Sequence, residues 1–241
     1  MCCRYMLLGK DARDLLAAAG IPDEEGDTAY PGDNYNIAPS SKIKVVRAKP
    51  GRVKRERECV SLHWGLRWHG AGVQRTSAPP IVNVRAESLL SKAGFREALM
   101  SRRCLIPASG FYEWEKAGRA RFPWLFQLRD KRPFFLAGIW DRLPDRDANG
   151  ACAIITTEPN NVMRPIHHRM PMIVPPEDAT RWLDGDARDG MSTLLLLPFE
   201  DALMRARRVS SHVNNTRNAG PECVAPPAAD DEPDGRQGML F

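Results

Sequence analysis

The feature that most constrains this chain is the shortness of its apolar segments. A series of them, each about five to seven residues long, is rich in β-branched and aromatic side chains, which predicts strands. None approaches the roughly 18 apolar residues that a membrane-spanning helix needs. The predicted strands are Ile43–Arg47, Val60–Leu66, Cys104–Ala108, Pro123–Leu128, Phe134–Trp140, Ala151–Thr157 and Thr193–Leu197.

Helices are few and short by comparison. Asp11–Ala19 has helical character and is followed by Gly20, a typical stop signal. Phe95–Met100 and Pro176–Leu183 are further short helices between strands. The 241 residues can bury a substantial core. We therefore predict the α+β class: a single domain over residues 2–220, built on a curved, largely antiparallel and barrel-like β-sheet with short peripheral helices.

The net charge divides unevenly along the sequence. Residues 221–241 contain five acidic side chains and Arg236, together with many Pro, Ala and Gly residues, which predicts a disordered acidic tail. Removing the net −4 of this tail from the total of +5 leaves +9 on residues 1–220. Such a body suits an anionic partner such as nucleic acid. A basic protein without such a partner remains an alternative.

The cysteines indicate a reducing compartment. They form no CxxC pair and have no zinc spacing, so we predict reduced thiols and neither a metal nor a cofactor. The apolar stretch near residue 6 is too short for a secretory signal. We expect a cytoplasmic, nucleoid-associated monomer. The six cysteines are Cys2, Cys3, Cys59, Cys104, Cys152 and Cys223.

Cys2 follows Met1, which methionine aminopeptidase removes when the next side chain is small. The product carries an α-amine of pKa about 8 beside a thiol of pKa about 8.5, so both are partly nucleophilic at neutral pH. An amine and a thiol on adjacent carbons can trap an aldehyde as a thiazolidine. An internal cysteine cannot, because its nitrogen is an amide. The alternative is that cysteine at position 2 has no such role.

Polar clusters occur where strands are predicted to end. They are Asn83–Glu87, Ser109–Trp114 and Ile166–Pro171. A glycine beside an acid and aromatic residues at a strand end is typical of a functional site, but it is equally typical of a β-bulge with surface polar groups. The residues alone leave these two interpretations open.

Taken together, these segments resemble the SOS response-associated peptidase (SRAP) family over most of residues 2 to about 224. The resemblance implies a sensor of abasic sites in single-stranded DNA that crosslinks itself to the lesion through its N-terminal cysteine. It rests on Cys2 with Arg4, YNIAPS at 35–40, WGL at 64–66, NVRAES at 83–88, RCLIPASGFYEW at 103–114, AGIWD at 137–141, TTEPN at 156–160, IHHRMP at 166–171 and VNN at 213–215.

The resemblance also implies roles for individual residues. Cys2 is the nucleophile, Glu113 the acid–base group, His167 the group that polarises the sugar oxygen, and Asn83 a hydrogen-bonding group that orients the amine or the sugar. The alternatives are a surface salt bridge for Glu113 and a structural role for the histidine. DNA contacts are implied for Arg4, Trp68, Arg85, Trp114, Thr157 and Arg169, with core packing as the alternative for each tryptophan.

Three departures from the family pattern stand out. Cys3 replaces the usual glycine after the nucleophile, which could crowd the sugar or supply a second thiol. The loop after WGL reads RWHGAGVQRTSAPP, which puts DNA contacts from it in doubt. Val84 replaces a small residue, a milder change.

The sequence ends in QGMLF, which resembles the peptide with which bacterial repair proteins bind the sliding clamp. Gln237 would occupy a polar subsite, while Leu240 and Phe241 would fill an apolar pocket. The alternative is a hydrophobic end without function.

Two other functions remain possible on the sequence. One is an N-terminal-nucleophile cysteine peptidase or amidohydrolase, in which Cys2 attacks an amide. The other is a plain single-stranded DNA-binding module with no covalent step. The family name reflects a peptidase proposal, and for this chain the implied proteolytic event is removal of the residue before Cys2.

Overall fold

A computed structural model describes residues 3–22, 32–49, 56–67, 79–143, 147–185 and 197–228. The helices are α1 (Gly9–Ala18), α2 (Ala86–Ser91), α3 (Ala93–Ser101) and α4 (Ala179–Asp184). The strands are β1 (Tyr5–Leu7), β2 (Asn34–Ile37), β3 (Lys42–Ala48), β4 (Arg57–Trp64), β5 (Asn83–Arg85), β6 (Arg103–Ala108), β7 (Gly110–Ala117), β8 (Ala120–Leu128), β9 (Phe134–Leu143), β10 (Asp147–Thr157), β11 (Met170–Pro171), β12 (Ile173–Val174) and β13 (Met204–Arg208).

The strands form two sheets. The first has the order β13-β8-β7-β1-β2, with antiparallel pairing throughout. The second has the order β11-β10-β4-β3-β6-β9-β12, and β5 pairs with β10. Because β9 also pairs with β10, the strands β10, β4, β3, β6 and β9 close on themselves.

This architecture confirms the predicted α+β class, with curved sheets and few short helices in a single domain. It differs from the prediction in having two sheets. The closed set of strands also mixes directions, since β10 runs parallel to β4 and to β5, and it is not a regular barrel.

One hydrophobic core lies between the two sheets. Tyr5, Phe111 and Phe126 from the first sheet share a cluster with Trp64 and Phe134 from the second. The rings make specific contacts, with Tyr5 edge-on to Trp64 at 5.5 Å and Phe111 stacked on Phe126 at 5.1 Å. Burial of each such ring stabilises the fold by roughly 1.5 to 3 kcal/mol. This packing fixes the position of the first sheet against the second.

The helices cover the opposite face of the second sheet. Leu15 of α1, Leu89 of α2, Leu99 of α3 and Trp182 of α4 pack there in one cluster. The predicted helices at 11–19 and 95–100 are confirmed, each within two residues. The one predicted at 176–183 begins as a 3₁₀ turn at Pro176–Asp178 and continues as α4. No helix in the described ranges has the length and apolar character needed to cross a membrane.

The polar cluster Ser109–Trp114 corrects one expectation. It was predicted at a strand end, but all of it except Ser109 lies in β7. Phe111 and Tyr112 point to opposite faces of the sheet, and both are fully buried. A strand buried on both faces lacks the alternation that identifies a strand in a sequence. Glu113 is therefore held within a strand rather than on a loop.

Part of the segment predicted as a tail is packed. Pro221–Val224 form a 3₁₀ helix, and Cys223 is fully buried beside Tyr112. Residues 229–241, including Gln237, Leu240 and Phe241, lie outside the described residues. The predicted strand at 193–197 also lies outside them, except for Leu197. The clamp-binding tail stays a prediction.

Candidate functional site

The strand register brings Cys3 opposite Glu113. In the antiparallel pair of β1 and β7, Tyr5 faces Phe111 and Met6 faces Gly110. The pairing continues upstream, since the Tyr112 N–H donates to the Arg4 carbonyl oxygen at 2.9 Å. Because successive side chains alternate between faces, Cys3 and Glu113 lie on the face of Tyr5 and Phe111, toward the second sheet.

Asn83 reaches the same place from the second sheet. It begins β5, where its backbone is level with Ile154 of β10. Its side-chain amide donates to the Cys3 sulfur at 3.7 Å. The end of β1, the middle of β7 and the beginning of β5 therefore meet in one small region.

The Glu113 carboxyl is almost completely buried, with 4% of its surface exposed. Burial raises its pKa above that of an ordinary glutamate, because the charged form loses its hydration, and positive charge on His168 acts in the opposite direction. A carboxyl group shifted this way can hold a proton closer to neutral pH and release it again. That property suits a group that shuttles protons.

The Cys3 thiol lies within this region. Burial raises its pKa, and the Glu113 carboxylate acts in the same direction, while the hydrogen bond from Asn83 and the charge of Arg4 oppose them. The thiol is therefore kept protonated, and a protonated thiol is a poor nucleophile. The departure from glycine at this position places a neutral sulfur beside the acid.

His167 Nδ1 is bound to the backbone of Arg169. The Arg169 N–H is 3.0 Å and the Arg169 carbonyl oxygen 3.1 Å from this nitrogen. The N–H can only donate and the carbonyl oxygen can only accept, so each neutral tautomer satisfies one of the two contacts. Partial burial lowers the pKa of His167. The ring is thus neutral near pH 7, and in the tautomer that accepts from the Arg169 N–H its proton is on Nε2.

His168 lies beside His167 but is more exposed to solvent. The two rings stack with centroids 4.4 Å apart, but His168 is exposed. The proximity of His167 is the main cause that lowers the pKa of His168. Of the two, His167 is the one whose ring nitrogen contacts the backbone of Arg169.

The buried side chain of Arg169 stabilises the loop that carries His167. Its guanidinium forms two hydrogen bonds to the Glu87 carboxylate, at 2.8 and 3.0 Å, and a third to the Thr156 carbonyl oxygen at 2.6 Å. This pairing lowers the pKa of Glu87. Thr157, next along β10, is also buried. The guanidinium that was expected at a phosphate is thus committed to protein groups.

Arg4 and Trp114 lie on the opposite face of the first sheet. Arg4 Nη1 donates to the Asn36 side-chain oxygen at 2.6 Å and to the Val213 carbonyl oxygen at 2.8 Å. The guanidinium also lies over the Trp114 ring, 5.4 Å from its centroid, and the Trp114 indole N–H donates to Asn214 at 2.7 Å. These contacts stabilise the beginning of β1 from the face of the first sheet that is opposite Cys3 and Glu113.

Arg85 is exposed at the end of β5. Cys2 and Trp68 lie outside the described residues. The structure therefore brings Asn83, Glu113 and the new neighbour Cys3 together. In the described ranges, no group of three His, Cys, Asp or Glu side chains is arranged to hold a metal ion.

Three supporting residues were not identified from the sequence as functional. Asn36, Glu87 and Asn214 fall within motifs noted there, in YNIAPS, NVRAES and VNN, but their partners lie far away along the chain. Only the motif membership itself could have singled them out.

Known proteins of one family are similar to this chain over most of its length. The family model for the SOS response associated peptidase (SRAP) matches residues 1–216. The abasic site processing protein YoqW of Bacillus subtilis is 35% identical over 228 residues, covering 93% of this chain and 99% of that protein. The abasic site processing protein HMCES of Pongo abelii is 30% identical over 261 residues, covering 89% of this chain and 73% of that protein.

A crystal structure of a protein from Bacteroides thetaiotaomicron has the same fold. It superposes with a TM-score of 0.77 at 24% identity, covering 93% of this chain and 99% of that one.

Proposed function

The chain belongs to the SOS response associated peptidase family, and from that membership we propose that it processes abasic sites in single-stranded DNA by forming a thiazolidine through Cys2. Relatives named abasic site processing proteins support the substrate. The observation that carries the chemistry is the convergence of Asn83 and Glu113 on Cys3, the residue covalently attached to Cys2. Cys2 precedes Cys3 directly in the sequence, which supports a role for these groups in its chemistry.

The reaction joins an aldehyde and an aminothiol with loss of water. The Cys2 amine adds to the C1′ aldehyde of the opened deoxyribose to give a carbinolamine, which expels water and leaves an imine. The Cys2 sulfur then adds to the imine carbon, and the nitrogen gains a proton. The former carbonyl carbon finishes with one C–N and one C–S bond, and its oxygen leaves as water.

Several of these steps need a proton to move. Opening the sugar ring requires a proton on the ring oxygen, and expelling water requires one on the carbinolamine hydroxyl. Glu113, with its pKa raised by burial, supplies and recovers these protons. His167 donates from Nε2 to the sugar oxygen, and the Asn83 amide orients the amine or the sugar.

The predicted DNA-contacting residues divide into two groups. Arg85 is exposed at the edge of the site and meets a flanking phosphate. Arg169 acts through its hydrogen bonds to the His167 loop, and Arg4 and Trp114 stabilise the beginning of β1. Removal of Met1, which frees the Cys2 amine, is the proteolytic event in this scheme.

The test is intact-mass measurement after incubation with single-stranded DNA that contains one abasic site. We expect a heat-stable adduct whose mass is the sum of protein and DNA less one water. The control is the same oligonucleotide after borohydride reduction, which converts the aldehyde to an alcohol and should give no adduct. A non-covalent binding module would give no adduct with either DNA. A peptidase would instead cleave an amide substrate and would form no adduct with the DNA.

His167→Ala should slow crosslinking, because the ring no longer donates from Nε2 to the sugar oxygen. General acid–base assistance is typically worth about 10²- to 10⁴-fold, and a hydrogen-bond donor that acts beside Glu113 should account for the lower part of that range. His168→Ala is the matched control, since it removes an exposed ring next in sequence. Single-turnover rates at saturating DNA measure both. Equal rates for the two variants would remove His167 from the mechanism.

A further inference from the structure

The DNA strand that flanks the lesion in the proposed function needs more cationic contacts than the predicted arginines provide. Arg169 is bound to Glu87, and Arg4 is bound to Asn36 and Val213. Of the three arginines expected at phosphates, Arg85 is the exposed one. Phosphate contacts dominate the affinity of proteins for nucleic acids, so other exposed cations would have to supply the remaining contacts.

The hairpin between β7 and β8 carries such cations. Lys116, Arg119 and Arg121, here called the hairpin cations, are all exposed. Ala117 pairs with Ala120, which leaves a two-residue turn. Gly118 takes its first position with φ +61°, the glycine position of a type II′ turn. The cations are thus presented on a short, defined hairpin.

The charges of this hairpin are unbalanced. Lys116 and Arg121 are directly opposite each other across the two strands, and like charges in that position are destabilising. Within the described residues, none of the hairpin cations forms an ion pair. The adjacent Glu115 points to the other face of the sheet, where it accepts a hydrogen bond from the Trp124 indole at 3.1 Å. An external anion would relieve this repulsion.

The hairpin extends β7 beyond the proposed reaction site. Lys116 follows Glu113 by three residues, which is about 10 Å at the strand rise, and its side chain points to the opposite face of the sheet. The turn at Gly118 lies about 17 Å from Glu113 along the strand. The charge of Lys116 is among those that lower the pKa of His167. The field of the hairpin therefore extends into the site.

We propose that the hairpin cations form a second phosphate-binding surface that holds the DNA strand on one side of the abasic site. The binding surface itself requires only a single-stranded polyanion. Its orientation relative to the lesion rests on the proposed function.

The first experiment measures binding of a fluorescein-labelled, lesion-free oligothymidine by anisotropy over a range of salt concentrations. The test variant is Lys116→Ala/Arg119→Ala/Arg121→Ala. The control, Lys10→Ala/Arg13→Ala/Arg181→Ala, removes the same charge from exposed positions on α1 and α4. The hairpin variant should bind roughly tenfold or more weakly at low salt. Its slope of log affinity against log salt should fall by about 0.7 for each phosphate that is no longer bound, so by about 2 in all. The affinity and the slope of the control should change little.

Equal affinities and slopes for the two triple variants would overturn the proposal. Because the hairpin variant removes a repulsion, its melting temperature should not fall. The single variant Arg119→Ala, at the turn, gives an independent measurement with an expected slope change of about 0.7. An unchanged slope in that variant would also count against the surface.

The second experiment places the abasic site at one end of the oligonucleotide, with flanking nucleotides either 5′ or 3′ of it. The hairpin variant should weaken binding of one of these DNAs and leave the other nearly unchanged. Equal weakening of both would contradict the proposal that the hairpin binds the DNA strand on only one side of the abasic site. A wild-type protein that binds lesion-free DNA with a steep salt slope but forms no adduct would overturn the proposed crosslinking while leaving the hairpin surface standing.

Discussion

Cys2→Ala should abolish the heat-stable adduct with abasic DNA. Alanine is small enough for Met1 still to be removed, so the α-amine and its imine remain available. Without the sulfur the imine cannot close to a thiazolidine, and it hydrolyses. Cys2→Ser should also give no stable product, because the oxazolidine that serine would form hydrolyses far more readily than a thiazolidine. The measurement is denaturing gel electrophoresis after heating, with intact mass as confirmation.

Cys3 provides the matched control for this prediction. Cys3→Gly restores the residue that is usual in the family and removes the second thiol from the site. It should retain crosslinking, because the Cys3 nitrogen is an amide and its sulfur is kept protonated by burial and by Glu113. Loss of the adduct in Cys3→Gly with retention in Cys2→Ala would assign the chemistry to the other thiol.

Glu113→Gln should slow both formation and reversal of the crosslink by about 10²- to 10⁴-fold. Glutamine preserves the shape of a side chain that is 4% exposed but cannot give up or accept the proton. DNA affinity should change little, since the group is buried away from the phosphates. Single-turnover rates at saturating DNA measure formation, and exchange of a crosslinked oligonucleotide against excess competitor measures reversal.

The pH profile gives this prediction a second readout. Burial raises the pKa of Glu113, so its acid form persists at a higher pH than that of an ordinary glutamate. Acid catalysis of ring opening should decline as the pH rises through that raised pKa, and this decline should be absent in Glu113→Gln. The control is Glu115→Gln, two residues along the same face and bonded to Trp124. If both variants crosslink at the wild-type rate, Glu113 has no role in proton transfer.

The sequence predicted the fold class because the second sheet is made of strands with clear local signals. The predicted strands at 43–47, 104–108 and 134–140 all lie within β3, β6 and β9, where β-branched and aromatic residues are bounded by polar ones. β1 was missed because it has only three residues, too few to give a recognisable strand pattern. Its strand state depends on pairing with β2 and β7, which no local pattern reveals.

The site residues were predicted from family motifs, but their environments could not be. The pairing of Glu87 with Arg169 joins positions 82 residues apart, and the contact of Asn83 with Cys3 joins positions 80 apart. A sequence pattern identifies which side chains are polar, yet whether a guanidinium faces a phosphate or a buried carboxylate depends on tertiary packing. That is why Arg169 and Arg4 have internal partners where the sequence suggested DNA.

The anchoring of β1 has a consequence for the timing of reactivity. Arg4 is fastened to Val213, 209 residues later in the chain, so the strand that leads to Cys2 is translated first and secured among the last. A nascent chain would carry its aminothiol without the organised surroundings that activate it. The catalytic groups and the N-terminal residue would then come together only when synthesis of the domain is nearly complete.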